Sequence, residues 1–267
     1  MRRYAVIEKA LGETPLQAIR AYQKTDPALM RVPLTYAGRL DPMAHGKLLV
    51  LIGDECKQRD KYDGLDKEYV FEVLLGFKSD TGDVLGLPQS AAAVAVTKRR
   101  AHDVARSLVG VHTLPYPAFS SKTVGGKPLF QYALEGKLDT IDVPTADRRV
   151  YSMRYIDKLV LSREALIERI LDKIELLNVQ TDAELLGSDF RKEAIAQAWW
   201  DLRSRTVSTA TILRFKAAVA SGTYIRSLAP LIAERLGTDG LAYSINRTKL
   251  GRYMPIGSHF GLWTRRY

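Results

Sequence analysis

A single cysteine, Cys56, stands in the 267 residues, which excludes an intrachain disulfide and a cysteine-rich zinc site. The four histidines are scattered without metal-ligand spacing. No apolar run approaches the roughly 20 residues that a membrane span needs. The start, Met1-Arg2-Arg3-Tyr4, lacks the apolar stretch of a secretion signal. Low-complexity tracts and internal repeats are missing, as is any motif for a nucleotide, metal or flavin. These absences lead to the expectation of a cytoplasmic chain that works without a cofactor.

What is present is positive charge. The net charge is +10 and the pI about 9.6, with an ordinary 46% hydrophobic and 26% charged residues. That balance points to a polyanionic partner, usually nucleic acid. The basic residues come in small groups, Lys98-Arg99-Arg100, Arg148-Arg149, Arg203 with Arg205, and Arg265-Arg266. A folded surface, rather than a basic tail, would therefore meet the partner.

The most informative stretch is Thr35 to Ile52, T-Y-A-G-R-L-D-P-M-A-H-G-K-L-L-V-L-I. Gly38 permits a positive φ or a close approach. Pro42 biases Asp41 toward an extended backbone. The run Leu48 to Ile52 reads as a buried strand. Asp41 is thus expected on a stiff loop leading into the core, where catalytic side chains tend to sit. An isolated Asp-Pro more often merely opens a turn.

Elsewhere the pattern alternates strands and helices. Tyr4 to Ala10 reads as a strand, and Thr14-Pro15 as the cap and first residue of a helix running to about Lys24. Gly53 to Asp66 is polar and helical. Lys67 to Phe77 is a strand rich in aromatic and branched residues, followed by a turn cluster, Ser79 to Gly86. Thr97 to Val109 is a capped amphipathic helix with a solvated basic start. Leu114 to Lys127 has no helical or strand period; its prolines, glycines, aromatics and lysines suit a loop that holds nucleic acid by stacking and charge. A short helix follows at Leu129 to Gly136. Arg148 to Leu161 is a long strand. A helical segment from Ser162 to about Arg205 breaks near Gly187, and its stripe Ile167, Ile170, Leu171, Ile174 and Leu177 reads as core packing. Ile212 to Ala220 is a strand, Ser221 to Gly237 opens and completes a helix, and Leu241 to Tyr253 is the closing strand.

G-R-L-D-P-M-A-H-G-K-L resembles the G-T-L-D-P-x-A-x-G-x-L signature of the TruB family of tRNA pseudouridine synthases. Further motifs follow in order. Lys67, Tyr69, Leu75, Gly76, Asp80, Thr81, Asp83 and Gly86 match K-x-Y-x-x-x-x-x-L-G-x-x-T-D-T-x-D-x-x-G. Leu114 to Lys127 resembles the family's RNA-clamping thumb loop, with Lys122 one residue before the usual lysine and Thr123 in its place. G-T-Y-I-R-S-L-A, from Gly222, is a near-verbatim third motif, and Arg247 keeps an arginine of the closing strand while Asn246 replaces another. The opening Lys9 to Pro15 matches K-P-x-G-x-T-S only weakly.

The resemblance implies an α+β pseudouridine synthase fold, a central, mostly antiparallel mixed sheet flanked by helices. One catalytic domain would span 1–267, with a thumb loop at about 114–137, a helical insertion at about 162–205, and no room for the C-terminal RNA-binding domain of longer members. It implies isomerisation of the tRNA T-loop uridine, with Asp41 as nucleophile, Arg226 paired to it, and Tyr69 stacking on the base or moving a proton. An adjacent guanidinium favours the ionised carboxylate and fixes its direction. RNA contacts are expected at Tyr36, Arg39, Lys67, Phe119, Lys122, Lys127 and Arg247. Tyr36 stands where bacterial members carry a histidine that helps base flipping, and His45 is not at the matching place. The partner would be the tRNA T-arm, with no metal, cofactor or obligate protein partner. The same chemistry on another RNA, or an RNA-binding or folding module with little catalysis, are the alternatives.

Overall fold

The computed structural model describes residues 2–92, 94–177, 191–203, 209–257 and 260–267. The chain opens with strand Tyr4–Lys9 (β1) and helix Pro15–Lys24 (α1). Strands Leu34–Ala37 (β2) and Ala44–Ile52 (β3) bracket the Asp41 loop. After Gly53–Gln58, a 3-10 segment, come the short helix Asp60–Asp63 (α2), strands Asp66–Leu75 (β4), Phe77–Ser79 (β5) and Pro88–Ser90 (β6), helix Lys98–Ser107 (α3) and strand Gly110–Pro115 (β7). A small hairpin, Thr123–Val124 (β8) with Lys127–Pro128 (β9), precedes helix Leu129–Leu134 (α4) and the long strand Thr145–Ser162 (β10). Helices Arg163–Glu175 (α5) and Lys192–Asp201 (α6), strand Thr209–Val219 (β11), helix Ile225–Leu236 (α7), and strands Gly240–Ile256 (β12) and Phe260–Arg266 (β13) complete the chain.

Among the described residues the main sheet has nine strands, ordered β1-β3-β12-β4-β11-β10-β7, with β2 added on β3 and β13 on β12. Its pairs are antiparallel except β3 with β12, where Ala44 to Gly46 run parallel to Ile245 to Arg247. The mixed, mostly antiparallel sheet flanked by helices is the expected α+β architecture. No helix among the described residues is long and apolar enough to cross a membrane.

Local chemistry explains the elements. Thr14 accepts a hydrogen bond from the Gln17 amide, and Gln17 Oε1 accepts one from the Thr14 amide, a reciprocal cap with Pro15 inside it. Thr97 and Ser162 cap α3 and α5 as the sequence predicts. Leu48 to Ile52 are buried on both faces of β3, which is why the run is continuous rather than alternating. Phe71 stacks on Phe215 at 5.8 Å between β4 and β11, and Trp199 of α6 packs tilted on Phe77 at 5.5 Å while its indole N–H donates to the Val84 carbonyl. Ile167, Ile170, Ile174 and Leu177 are buried, as core packing requires, and Leu171 is half-buried beside them. The expected break near Gly187 lies outside the described residues.

Three differences from the sequence reading have clear causes. The stretch after Leu114 is not all loop: Gly125 and Gly126 take φ of +57° and +81° and close the β8–β9 hairpin, the two-residue turn that a Gly-Gly pair favours. The basic start of α3 is not wholly solvated by water, because Arg100 Nη2 donates to the Leu236 carbonyl at 2.9 Å at the C-terminal end of α7. Beyond Tyr253 the chain folds back as β13, with Tyr267 edge-on to Tyr4 and Tyr62.

Gly46 shows how tightly β3 meets β12. Its φ is +100°, and a Cβ there would lie 2.4 Å from Asn246 Oδ1 and 2.5 Å from the Arg247 carbonyl oxygen. Gly46→Ala is expected to lower unfolding free energy by at least about 2 kcal/mol, read from urea melts. A change below about 0.5 kcal/mol would show that the β3–β12 contact can open without loss.

Candidate active site

The Asp41 loop is pinned from every side. Gly38 takes φ +71° and its amide donates to Asp63 Oδ1 at 3.0 Å. The Pro42 carbonyl accepts from the Gly12 amide at 2.9 Å, and the Asp41 carbonyl from the Ala44 amide at 3.0 Å. Leu40 and Met43 are buried on either side of Asp41-Pro42. Arg247, fully buried, donates from Nη2 to the Gly38 carbonyl at 2.9 Å, from Nη1 to Arg39 at 3.3 Å and from Nε to Lys47 at 2.8 Å. The loop is stiff because a buried guanidinium holds three of its flanking carbonyls.

Arg226 reaches this loop from the first turn of α7. Its Nε and Nη2 lie 2.8 and 2.7 Å from Asp41 Oδ2. Nη1 donates to the Thr81 carbonyl at 3.0 Å and Nη2 to the Phe119 carbonyl at 3.1 Å. The Arg226 side chain is 4% exposed and that of Asp41 26%, so the arginine is embedded and the carboxylate can be reached. Among the described residues no hydrogen bond reaches Asp41 Oδ1. Burial works against the Arg226 cation, but Asp41 and Asp83 beside it outweigh that and hold it above its ordinary value.

Asp83, which stands in the sequence only as one residue of the 79–86 motif, joins the candidate site beside Arg226. Its Oδ2 lies 3.6 Å from Arg226 Nε. Its Oδ1 accepts from the Thr81 hydroxyl at 2.9 Å and the Leu85 amide at 2.8 Å. Burial pushes the Asp83 carboxyl up to about 6, against the pull of Arg226, Thr81 and Leu85. Tyr224, which precedes α7, likewise stands in the sequence only as part of a motif. It is half-buried, edge-on to Tyr116 at 5.8 Å, and within electrostatic reach of Asp41. The spacing of the 79–86 turn cluster carries the signal for Asp83, and the G-T-Y-I-R-S-L-A motif the one for Tyr224.

Tyr69 is buried and sits opposite Arg247 in the β4–β12 ladder, within electrostatic reach of Asp41. Burial raises the pKa of its hydroxyl, with Arg247 opposing. Asp41, Tyr69 and Arg226 are therefore brought together, as the sequence predicts.

The expected RNA contacts divide into two sets. Arg39 and Lys122 are exposed, Lys122 with its ammonium 5.2 Å from the Tyr116 ring. Tyr36 is half-buried with the Arg59 guanidinium 5.3 Å from its ring, and Phe119 is half-buried. Lys127 is half-buried, paired to Glu135 and set over the Tyr132 ring at 4.6 Å. Lys67 and Arg247 lie inside the protein. Lys67 Nζ donates to Ser221 Oγ at 2.9 Å and to the Asp63 carbonyl at 3.3 Å. The structure gives these two cations a different task from the expected RNA contact, because protein acceptors surround their charged groups. His45 lines a cleft of about 430 Å³ with Lys9 and Leu11, a cleft that does not include Asp41. No group of described His, Cys, Asp or Glu residues comes together in a way that could hold a metal ion.

Burial, followed by the nearby Arg247 charge, lowers the Lys67 ammonium to about 8. An unfolded lysine keeps its proton to about 10.4. Between these values the unfolded state binds more protons, so stability rises with pH across that window. Relative to Lys67→Met, the wild type is expected to gain on the order of 2 kcal/mol between about pH 7 and pH 10, measured by urea melts at both. A pH-independent difference would mean that the ammonium is solvated.

Comparison with known proteins agrees with this geometry. Residues 30–166 match the family model described as TruB family pseudouridylate synthase, N-terminal domain. The tRNA pseudouridine synthase B of Caldicellulosiruptor saccharolyticus is 26% identical over 251 residues, covering 94% of this chain and 68% of its own length. That of Chloroherpeton thalassium is 25% identical over 257 residues, covering 94% of this chain and 83% of its own. A solved structure titled as a Cbf5-Nop10-Gar1 complex contains a chain that shares the fold, with a TM-score of 0.54 at 16% identity, over 92% of this chain and 48% of that one. With the family model matching across the Asp41 loop, the 80–83 turn and the thumb, the chain belongs to the TruB family of pseudouridylate synthases.

Proposed function

We propose that this chain isomerises the T-loop uridine of tRNA to pseudouridine, with Asp41 as nucleophile. The observation that carries the reading is the Arg226–Asp41 contact, which joins residues 185 positions apart and places an embedded cation against a reachable carboxylate. Both contacting nitrogens use Oδ2. Oδ1 is the oxygen left for substrate.

The reaction breaks N1–C1′ of the uridine, turns the base, and forms C5–C1′. The bonding pair leaves with N1, and C1′ becomes electron-poor. Asp41 meets that centre, by covalent attack or by charge stabilisation as the bond breaks. Once C5 has bonded to C1′, the C5 proton must leave to restore the ring. No phosphate bond changes, and a carboxylate need surrender no proton. Tyr69 supports stacking better than general-base work, because burial keeps its hydroxyl protonated. The flipped base then has a flat ring to lie on, which offsets the few kcal/mol of unstacking. Tyr36 is the ring available to fill the vacated place, with Arg59 over it. Arg39 and Lys122 are the exposed cations for phosphate, whereas Arg247 holds the loop and Lys67 binds Ser221 and the Asp63 carbonyl.

Pseudouridine mapping of unmodified tRNA transcripts tests this. Wild-type protein is expected to produce one new pseudouridine in the T-loop. Asp41→Asn should yield none while its RNA affinity stays within about threefold, a shift well under 1 kcal/mol. Turnover by Asp41→Asn near the wild-type rate would remove Asp41 from the mechanism.

Affinity should fall steeply with salt, since phosphate contacts release counterions. Arg39→Ala and Lys122→Ala should each reduce the slope of log affinity against log salt by about one. Unchanged slopes in both would place the phosphate contacts elsewhere.

A further inference from the structure

Arg191 joins the helical insertion to the catalytic cleft, and no motif in the sequence marks it. It immediately precedes α6 and takes φ +58°, the only non-glycine residue with positive φ among those described. A side chain is disfavoured in that region, so surrounding contacts must hold it there. Nη1 lies 2.6 Å from Asp80 Oδ2, and the guanidinium carbon lies 4.6 Å from the centroid of the Phe119 ring. The pair is partly shielded, with the Arg191 and Asp80 side chains 27% and 33% exposed.

Both partners lead directly to the catalytic arginine. Asp80 Oδ1 accepts from the Leu87 amide at 2.8 Å, which fixes it within the turn that carries Thr81 and Asp83. Arg226 donates to the Thr81 carbonyl in that turn and to the Phe119 carbonyl at the root of the thumb. Arg191 therefore clamps, from outside, the same two segments that Arg226 binds from inside. A flat cation against the Phe119 ring restrains the whole residue, and with it the carbonyl that Arg226 uses.

We propose that Arg191 is a positioning residue. It holds Phe119 against the 80–83 turn, so that the Phe119 and Thr81 carbonyls keep the Arg226 fork aimed at Asp41 Oδ2. Among the described residues no contact joins it to Asp41, and its effect on the pair passes through Phe119 and Asp80. This rests on Asp41 and Arg226 forming the reactive pair.

Arg191→Gly is the useful variant, because glycine takes φ +58° without strain and the side chain is lost with no new backbone penalty. At saturating tRNA transcript, its single-turnover pseudouridylation rate should fall roughly tenfold while affinity changes less than about twofold, the pattern of misaimed groups rather than lost binding. Arg191→Lys, which keeps a cation for the ring, should recover part of the rate. Hydrogen exchange without RNA supplies a readout independent of activity. The Phe130 and Leu129 amides donate to the Ser120 and Lys122 carbonyls beside Phe119, and in Arg191→Gly they should exchange faster. The proposal is overturned by a rate within about twofold of wild type, by a rate loss matched by an equal loss of affinity, or by unchanged exchange at these amides. If wild-type protein leaves tRNA uridines unconverted, the functional reading fails by itself. The exchange comparison then decides the coupling, with faster exchange supporting the clamp and unchanged exchange overturning it.

Discussion

The site depends on one buried cation. A guanidinium taken out of water must be surrounded by acceptors, since an uncompensated charge in the interior is strongly destabilising. Arg226, 5% exposed, collects its acceptors from three other stretches of chain: Asp41 from the β2–β3 loop, Thr81 and Asp83 from the turn after β5, and Phe119 from the root of the thumb. Folding that leaves any of these out leaves Arg226 short of partners. The same requirement that completes the fold therefore assembles the site. It also separates the two carboxylates. Asp83 lies deep beside the cation, and Asp41 remains the one that solvent can reach.

The second buried arginine works differently. Arg247 meets carbonyls rather than carboxylates, and those carbonyls belong to the chain on either side of Asp41. Lys9 stands nearby on the same terms, donating to the Ala10 and Glu13 carbonyls. Burial brings Lys9 to about 8, the same level as Lys67. The neighbourhood thus sets Arg226, Arg247, Lys9 and Lys67 among the carboxylates of Asp41, Asp83, Asp63, Asp66 and Glu13. The cations beneath the loop act on Asp41 from the protein side, Arg226 by direct contact and Arg247 and Lys9 through space.

This division was partly legible in the sequence. The Asp41 turn, the doubly buried Leu48 to Ile52 run and the caps at Thr14, Thr97 and Ser162 rest on local chemistry, and they stand where the sequence places them. The fate of Lys67 could also have been read. In a strand, residues two apart share a face, so Lys67 and Tyr69 point the same way as Phe71 and Val73, which are core. Arg247 follows Ile245 in the same manner. A motif match records that a cation is present, whereas the strand period says which way it points. Arg191 had no such signal. Its contacts depend on how the insertion packs against the 80–83 turn and the thumb, and no local pattern encodes that.

The thumb shows why fixing its root matters more than fixing its tip. Its root is anchored to α7, with Ser227 Oγ donating to the Pro115 carbonyl at 2.7 Å and Arg226 to the Phe119 carbonyl. Beyond the root its contacts are largely its own: Lys127 and Lys137 on Glu135, and the Tyr132 hydroxyl on the Val124 carbonyl. The Gly125-Gly126 tip is exposed. A unit whose contacts beyond its root are largely its own can shift as a body when its tip is loaded. Such a shift would pull first on Phe119, and through its carbonyl on Arg226. The 114–137 segment and the Arg226–Asp41 pair share that residue, so a restraint on Phe119 keeps a shift of the one from reaching the other. The Arg191 cation against its ring is placed to supply it.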